Sequence, residues 1–291
     1  MIKRFMGKSF VHGWMGKTHA LMSVMLLCLL MLVPINVFKE TFGLLRNNIL
    51  FFIVGIVVLI GGALLPDLDN GVSSAGSTLG FMGTVCTAFM QSTSSLMWTL
   101  LHGKRDKHPE SPHRYFWHTL IVSVGIICLF LFGLPKGDIT IINDIKEKSF
   151  LNFLQSNITV IFFILITFMA VLCGSNIVMH FFIKTFNLPK LLNYICPVAV
   201  IVYISTIDYN HIRILGLCIG LGYLFHCIED IFADTGVPFL WPIPIHGQLW
   251  KRIAFIKTCQ TGGLVNTILD IVILAIDILL IALILLKGTT L

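Results

Sequence analysis

Long apolar stretches recur along the chain and are separated by short polar segments. An α-helix needs about 20 predominantly apolar residues to cross the hydrocarbon core of a bilayer, so each stretch predicts a membrane span. The pattern therefore predicts an all-α fold, a polytopic membrane helix bundle. We expect about seven transmembrane helices, at residues 20–38, 48–65, 117–134, 157–182, 191–207, 212–232 and 264–286.

The stretch 78–101 is also apolar, but it carries Gln91 and a cluster of serine and threonine residues. Polar side chains are costly in contact with lipid. We therefore expect a re-entrant or interfacial helix there rather than a crossing. Residues 135–156 mix positive and negative charges and predict a polar loop outside the bilayer.

The composition agrees with an integral membrane protein. Hydrophobic residues make up 56% of the chain and charged residues 12%, whereas soluble domains carry about 25% charged residues. We expect residues 1–291 to form a single integral membrane domain, with the candidate site in 19–120 and 222–270 and extra spans and a loop at 135–210. The eight cysteines include no C-x-x-C pair, which favours reduced side chains between helices over thiolate ligands.

Basic residues cluster at the N-terminus, in residues 102–114 and in residues 244–258. The positive-inside rule places all three segments in the cytoplasm, which requires that 78–101 does not cross. The N-terminus is then cytoplasmic. These segments account for the net charge of +6, and because no nucleic-acid-binding motif accompanies them we expect no nucleic acid partner.

Histidine and aspartate residues collect at the predicted cytoplasmic ends of four spans. Their common depth suits a divalent metal ion, most consistent with zinc, and the ligands suffice for one to three ions. His226 and Asp230 are four residues apart, so their side chains share one face of a helix. The candidate metal ligands are His19, Asp67, Asp69, His113, His118, His226 and Asp230.

Each of these residues also has a simpler explanation. A single histidine at a helix end is commonly an interfacial side chain, and two aspartates after Pro66 can form a turn and a helix cap. His226 and Asp230 can form a hydrogen-bonded pair. Two further acids, Asp270 and Asp277, lie in the last span, where polar contact with a neighbouring helix is favoured over a proton or ion path.

Five motifs follow one another along the chain: T-H-A-L from residue 18, G-A-L-L-P-D-L-D from 62, S-T-L-G from 77, H-R-Y-F-W-H-T from 113 and G-Y-L-F-H-C-I-E-D-I-F-A-D-T-G-V-P-F-L-W-P from 222. Together they resemble the LexA-regulated, inner-membrane-associated metal-dependent hydrolase family over residues 19–120 and 216–270. The resemblance implies a multi-pass protein of a bacterial inner membrane, distantly similar to the zinc phospholipase C and P1 nuclease class. It implies the same seven ligands, with Asp69 and His118 also acting in catalysis.

The chain departs from the pattern of that family at several positions. Asn70 stands where the family has histidine, Tyr115 and Trp117 replace glycine and threonine, and Asn266 stands where a glutamate is usual. Asparagine is a poorer zinc ligand than imidazole or carboxylate, so a metal position can be lost. We expect Asn70, Arg114 and Asn266 to line the site.

Three functions are compatible with the sequence. The first is a membrane-bound metal-dependent hydrolase that acts on a phosphoester or lipid-type substrate at the cytoplasmic face. The second is a non-catalytic structural or assembly protein that retains a degenerate metal site. The third and least favoured is an ion or solute transporter that uses Asp270 and Asp277. The expected partners are membrane lipids, an unidentified substrate and other proteins in the membrane.

Overall fold

The computed structural model describes residues 2–34, 36–71, 73–106, 113–132, 150–189, 191–233, 236–255 and 264–288. These ranges are mostly helical and contain no β-strand, so the all-α prediction is confirmed for them. Residues 236–255 form turns with two isolated β-bridges. Short 3₁₀ turns occur at Pro66–Asp69, Phe116–His118 and Asp230–Phe232. The α-helices are α1 (Ile2–Leu32), α2 (Asn36–Asn47), α3 (Ile49–Leu64), α4 (Ser74–Leu79), α5 (Phe81–Leu101), α6 (Leu120–Phe132), α7 (Phe150–Phe186), α8 (Leu192–Thr206), α9 (Tyr209–Glu229) and α10 (Leu264–Gly288).

An apolar helix overlaps each of the predicted spans. Among the described residues, those long and apolar enough to cross a membrane are Ile49–Asp69, Ile161–Phe186, Asn210–Phe232 and Thr267–Leu286. The other predicted spans coincide with shorter apolar helices, at Gly16–Leu32, Leu120–Phe132 and Leu192–Thr206. A helical membrane protein is therefore supported, whereas the total of seven crossings stays a prediction.

Two predicted boundaries are wrong. The span expected at 20–38 is interrupted, because α1 ends at Leu32 and α2 begins at Asn36. Pro34 disfavours helical backbone in the residue before it and cannot donate a helical hydrogen bond, which explains the break. The loop expected at 135–156 includes helix at its end, because α7 begins at Phe150. The rest of that loop lies outside the described residues.

Helix α5 lies where the sequence predicted a re-entrant or interfacial helix. Its buried stripe includes Thr87, whose hydroxyl donates to the carbonyl oxygen of Leu68 at 2.6 Å. One turn later, Gln91 Nε2 donates to the carbonyl oxygen of Asp69 at 2.8 Å. Trp98 packs against aromatic side chains outside α5, including Trp250. The polar residues of α5 thus contact the 3₁₀ turn that follows α3.

Helix α3 lies at the centre of the bundle because glycines let its neighbours approach closely. A Cβ atom on Gly61 would meet the carbonyl oxygen of Ala170 in α7, and one on Gly62 would meet that of Ile219 in α9. Small residues at such contacts are typical of helix packing within membranes. Close contact on both sides fixes the end of α3 relative to the end of α9.

The two basic loops lie together at the end of the bundle where α3 ends. The backbone N–H of Trp250 donates to Asp106 Oδ1 at 3.0 Å, and Gln248 Nε2 donates to the carbonyl oxygen of Arg105 at 3.0 Å. Arg252 Nη2 donates to the carbonyl oxygen of His113 at 3.3 Å. The loops around 104 and 250 are therefore on the same side of the bundle as the histidine segment.

Candidate metal centre

Pro66 sets the directions of the first two carboxylates. It begins the 3₁₀ turn Pro66–Asp69 directly after α3, because it cannot donate the next helical hydrogen bond. A 3₁₀ helix completes one turn in three residues, so side chains two positions apart point to different sides. Asp67 Oδ1 lies 3.7 Å from His226 Nε2, whereas Asp69 faces the segment 113–118.

The fully buried carboxylate of Asp69 organises that segment. Its Oδ1 atom is 2.5 Å from His113 Nδ1, and its Oδ2 atom is 3.5 Å from His118 Nδ1. Oδ2 also accepts a hydrogen bond from the backbone N–H of Arg114 at 2.9 Å. Arg114 has a φ of 60°, the left-handed region that residues other than glycine rarely adopt. Asp69 therefore holds a strained backbone and contacts His118 on the Nδ1 side of its ring.

Asp230 lies at the centre of the site, and three imidazole rings direct their Nε2 atoms toward it. The Nε2 atoms of His118 and His226 are each 3.4 Å from Oδ2, and that of His19 is 3.7 Å from Oδ1. These Nε2 atoms are buried and have no hydrogen-bond partner among the described residues. Buried polar atoms normally have partners, so their convergence on one carboxylate is the arrangement expected of ligands to a cation.

Glu229 belongs to the site, and the sequence interpretation missed it. Its Oε2 atom is 2.5 Å from His19 Nδ1. A carboxylate on one ring nitrogen fixes the tautomer and directs the other nitrogen toward a metal ion. The available signal was its position beside Asp230 at the end of a span. The spacing of four residues selects only His226 and Asp230, so it does not indicate Glu229.

The side chains that meet at this site include four carboxyl groups and one guanidinium group. Arg114 Nη2 lies 3.1 Å from Asp230 Oδ1, and Asp67 and Glu229 are also buried. A divalent cation would offset this excess of buried negative charge. We call the whole set the histidine–carboxylate cluster: His19, Asp67, Asp69, His113, Arg114, His118, His226, Glu229 and Asp230.

His113 is the most exposed histidine of the cluster, with 24% of its side-chain surface accessible. Burial alone would lower the pKa of His113, but the hydrogen bond and the negative charge of Asp69 outweigh burial and raise it. The surroundings of His113 thus favour its charged form more than water does. It meets the ring of His118 edge-on, at 5.7 Å between ring centres, so the exposed and the buried histidine are neighbours.

Two overlapping groups of side chains could each hold an ion. One consists of His19, His226 and Asp230, and the other of Asp67, His118 and His226; within each group the ligand atoms lie within 4.8 Å of one another. Both include His226, and one ring nitrogen binds one ion. Imidazole nitrogens and carboxylate oxygens are common ligands of divalent metal ions, so the described residues could hold such an ion.

The remaining polar residues singled out from the sequence are Asn70, Asn266, Asp270 and Asp277. Asn70 ends the 3₁₀ turn, and its backbone N–H donates to the carbonyl oxygen of Asp67 at 3.0 Å. Asn266 lies in the first turn of α10, and its side chain lies outside the described residues. Asp270 accepts a hydrogen bond from Thr18 at 2.8 Å. Asp277 is buried further along α10.

No curated protein and no solved structure matches the chain. The model of a family described as YdjM inner membrane protein matches residues 15–188, more than half of the chain. The match includes His19, the turn Pro66–Asp69 and the segment 113–118, and it ends before His226 and Asp230. It agrees with the inner-membrane family that the motifs resemble. The chain belongs to the YdjM inner membrane protein family.

Proposed function

We propose that the protein is a metal-dependent hydrolase of the inner membrane that acts on a phosphoester or lipid-type substrate at the cytoplasmic face. The observation that carries the proposal is the convergence of three buried Nε2 atoms, from His19, His118 and His226, on the carboxylate of Asp230. The site is formed at the ends of apolar helices, and ionisable side chains at membrane depth usually serve a function.

Zinc is the proposed ion, held by these three histidines with Asp230 and Asp67. When bound, it would supply Lewis acidity toward a phosphoryl oxygen and would activate a water molecule. Asp69 and Glu229 orient the rings of His118 and His19 through their Nδ1 atoms. His113, the most exposed histidine and hydrogen-bonded to Asp69, is the group placed to exchange protons with the surroundings.

The proposed topology is multi-pass with a cytoplasmic N-terminus. The basic loops around 104 and 250 contact each other, so they share one side of the membrane, and the positive-inside rule makes that side cytoplasmic. The contacts of α5 with Leu68, Asp69 and Trp250 lie at this same end, which supports an interfacial helix over a crossing. Cysteine labelling should find 104–106 and 245–255 in the cytoplasm and 138–148 outside. Opposite accessibility of 104–106 and 245–255 would overturn this topology.

Metal content and hydrolysis together test the function. Purified protein should contain zinc by elemental analysis, and should release phosphate or lipid products from a panel of phosphoesters until a chelator is added. Replacement of His226 by alanine should remove both zinc and activity. Protein that contains no divalent metal, and gains none on reconstitution, would remove the metal from the account.

A structural or assembly role with a retained metal site is the second candidate, and the burial of the cluster favours it. Asp69, His118, His226 and Asp230 have no accessible surface, whereas a catalytic site must admit its substrate. A structural site predicts that chelation lowers the melting temperature while no phosphoester is hydrolysed at any metal content. A transporter role is less supported, because Asp270 bonds to Thr18 as a polar contact between helices would.

A further inference from the structure

Arg114 carries a positive charge that contacts the carboxylate at the centre of the proposed metal site. Its Nη2 atom is 3.1 Å from Asp230 Oδ1, and its side chain is 10% exposed. The Nε2 atoms of three histidines face the same carboxylate. An ion bound to Asp230 at about 2.0–2.2 Å would therefore lie within roughly 5–7 Å of the guanidinium. A phosphoryl group on that ion can reach Arg114 with a second oxygen.

A guanidinium beside a cation site needs a physical reason, because two positive charges at this distance repel each other. An anion that lies between the two positive charges attracts both and offsets their repulsion. Arginine and a metal ion hold a transferring phosphoryl group in this way. Without a bound anion, the four carboxyl groups of the histidine–carboxylate cluster compensate both positive charges.

The backbone at Arg114 adopts a conformation that costs free energy. Its φ of 60° is uncommon for a residue with a side chain, and Asp69 Oδ2 accepts its N–H at 2.9 Å. Such conformations persist where surrounding contacts over-determine them, and they concentrate at ligand-binding sites. The carboxylate of Asp69 therefore contacts His113, His118 and the backbone of Arg114 between them.

Arg252 provides a comparison within the same region. Its Nη2 atom donates to the carbonyl oxygen of His113 at 3.3 Å, and its guanidinium carbon lies 4.8 Å from the centre of the Tyr115 ring. These contacts join the loop around 250 to the segment 113–118. Arg252 is therefore bound to backbone and aromatic groups, whereas Arg114 is bound to a carboxylate that also faces the metal ligands.

We propose that Arg114 binds the anionic group of the substrate, a phosphoryl-type oxyanion, from the position that it holds against Asp230. The proposal rests on the metal-dependent function proposed above and names the residue that selects an anion. The planar guanidinium presents paired donors that match two phosphoryl oxygens, which the single ammonium of lysine does not. The oxyanion can come from a soluble phosphate compound or from a lipid headgroup.

Calorimetry on the full-length, detergent-solubilised protein tests the proposal in two steps. Metal-stripped wild type, Arg114→Gln, Arg114→Lys and the matched control Arg252→Gln are titrated with zinc. The zinc-loaded proteins are then titrated with inorganic phosphate and, separately, with a short-chain phosphatidic acid. The melting temperature of each variant is measured in parallel to verify folding.

Arg114→Gln should bind zinc at least as tightly as wild type, because a competing cation is gone, and should bind phosphate about tenfold more weakly or worse. Arg114→Lys should lose part of the phosphate affinity, and Arg252→Gln should keep it. Tighter binding of phosphatidic acid than of phosphate, lost in Arg114→Gln, would identify a lipid headgroup. Equal binding of both would identify the phosphate group alone.

Unchanged phosphate affinity in Arg114→Gln and Arg114→Lys would overturn the assignment. So would an equal loss in Arg252→Gln, since the effect would then follow from the fold of the region. Wild type that binds zinc but neither anion would also overturn it, while leaving the metal site standing. Wild type that binds no divalent ion would overturn both the assignment and the proposed function.

Discussion

The histidine–carboxylate cluster and the contact between α1 and α10 both bury acidic side chains, but they do so in different ways. In the cluster, each of the four carboxyl groups has a histidine or arginine nitrogen within 3.7 Å. Between α1 and α10, Asp270 accepts a hydroxyl hydrogen bond from Thr18. Asp277 is 3% exposed, and neither of its oxygens has a hydrogen-bond partner among the described residues.

The difference follows from how many chain segments meet at each place. The ends of α3 and α9, the segment 113–118 and the start of the apolar part of α1 all reach the cluster, so side chains approach one point from several directions. Two helices packed along their length bring together only facing side chains. A buried acid in a membrane helix is therefore weak evidence for a site, whereas convergence of several helix ends is strong evidence.

The largest expected effect comes from removing the central carboxylate. Asp230→Ala removes the carboxylate that contacts the buried guanidinium of Arg114, and breaking a buried ion pair from one side costs about 3–5 kcal/mol. We expect a large fall in the melting temperature of the solubilised protein and loss of bound zinc. The double variant Asp230→Ala with Arg114→Ala should recover part of the stability, because the two residues interact directly.

Asp270→Asn is the matched control for that experiment. Its side chain remains able to accept the hydroxyl of Thr18, so the net change should be about 1 kcal/mol or less. Zinc should be retained in full. An equal fall in melting temperature for Asp230→Ala and Asp270→Asn would show that the cluster and the helix contact do not differ as described.

Chelation should have the next largest effect, and it should act through the cluster alone. An ion that binds the folded protein stabilises it by mass action, so chelator should lower the melting temperature of wild type. His226→Ala, which removes a ring common to both candidate ligand groups, should melt at a temperature that chelator does not change. A chelator response that survives in His226→Ala would place the stabilising ion elsewhere.

The side chains of the candidate site are easier to recognise in the sequence than the ends of the helices around it. The proline before Asp67, the histidines near span ends and the spacing of His226 and Asp230 are local features, and they are visible along the chain. Their assignment to one end followed from the charge of the loops. What the sequence could not show is which carboxylates face an ion and which orient a histidine, because that depends on the angle at which helix ends meet.

The misplaced boundaries have a similar origin. The break near Pro34 was hidden because apolar residues continue on both sides of it. The polar residues of α5 indicate a helix that is not surrounded by lipid. Their partners, the carbonyl groups of Leu68 and Asp69, could not be identified, because a hydrogen bond to a distant backbone group leaves no pattern in the sequence.

A smaller effect is expected from the carboxylate behind His19. Glu229→Gln removes the negative charge that holds His19 Nδ1 while keeping the length of the side chain. Outer contacts of this kind change metal affinity by about 10–100-fold, so zinc should bind more weakly by that factor in a competition titration with a chromogenic chelator. Glu229→Ala should be at least as weak. Zinc affinity equal to wild type in both variants would mean that His19 is not a ligand.

We expect a substitution at Asp277 to have the smallest effect on metal binding. Its effect on stability should have the opposite sign to that of the other substitutions. A buried carboxyl group without a hydrogen bond opposes folding. Asp277 lies on the same face of α10 as the buried apolar residues Ile273 and Leu280. Asp277→Leu should therefore leave zinc content and the chelator response unchanged, and should raise or preserve the melting temperature. A fall in melting temperature together with loss of zinc would show that Asp277 is coupled to the cluster, and the distinction between the two regions would then fail.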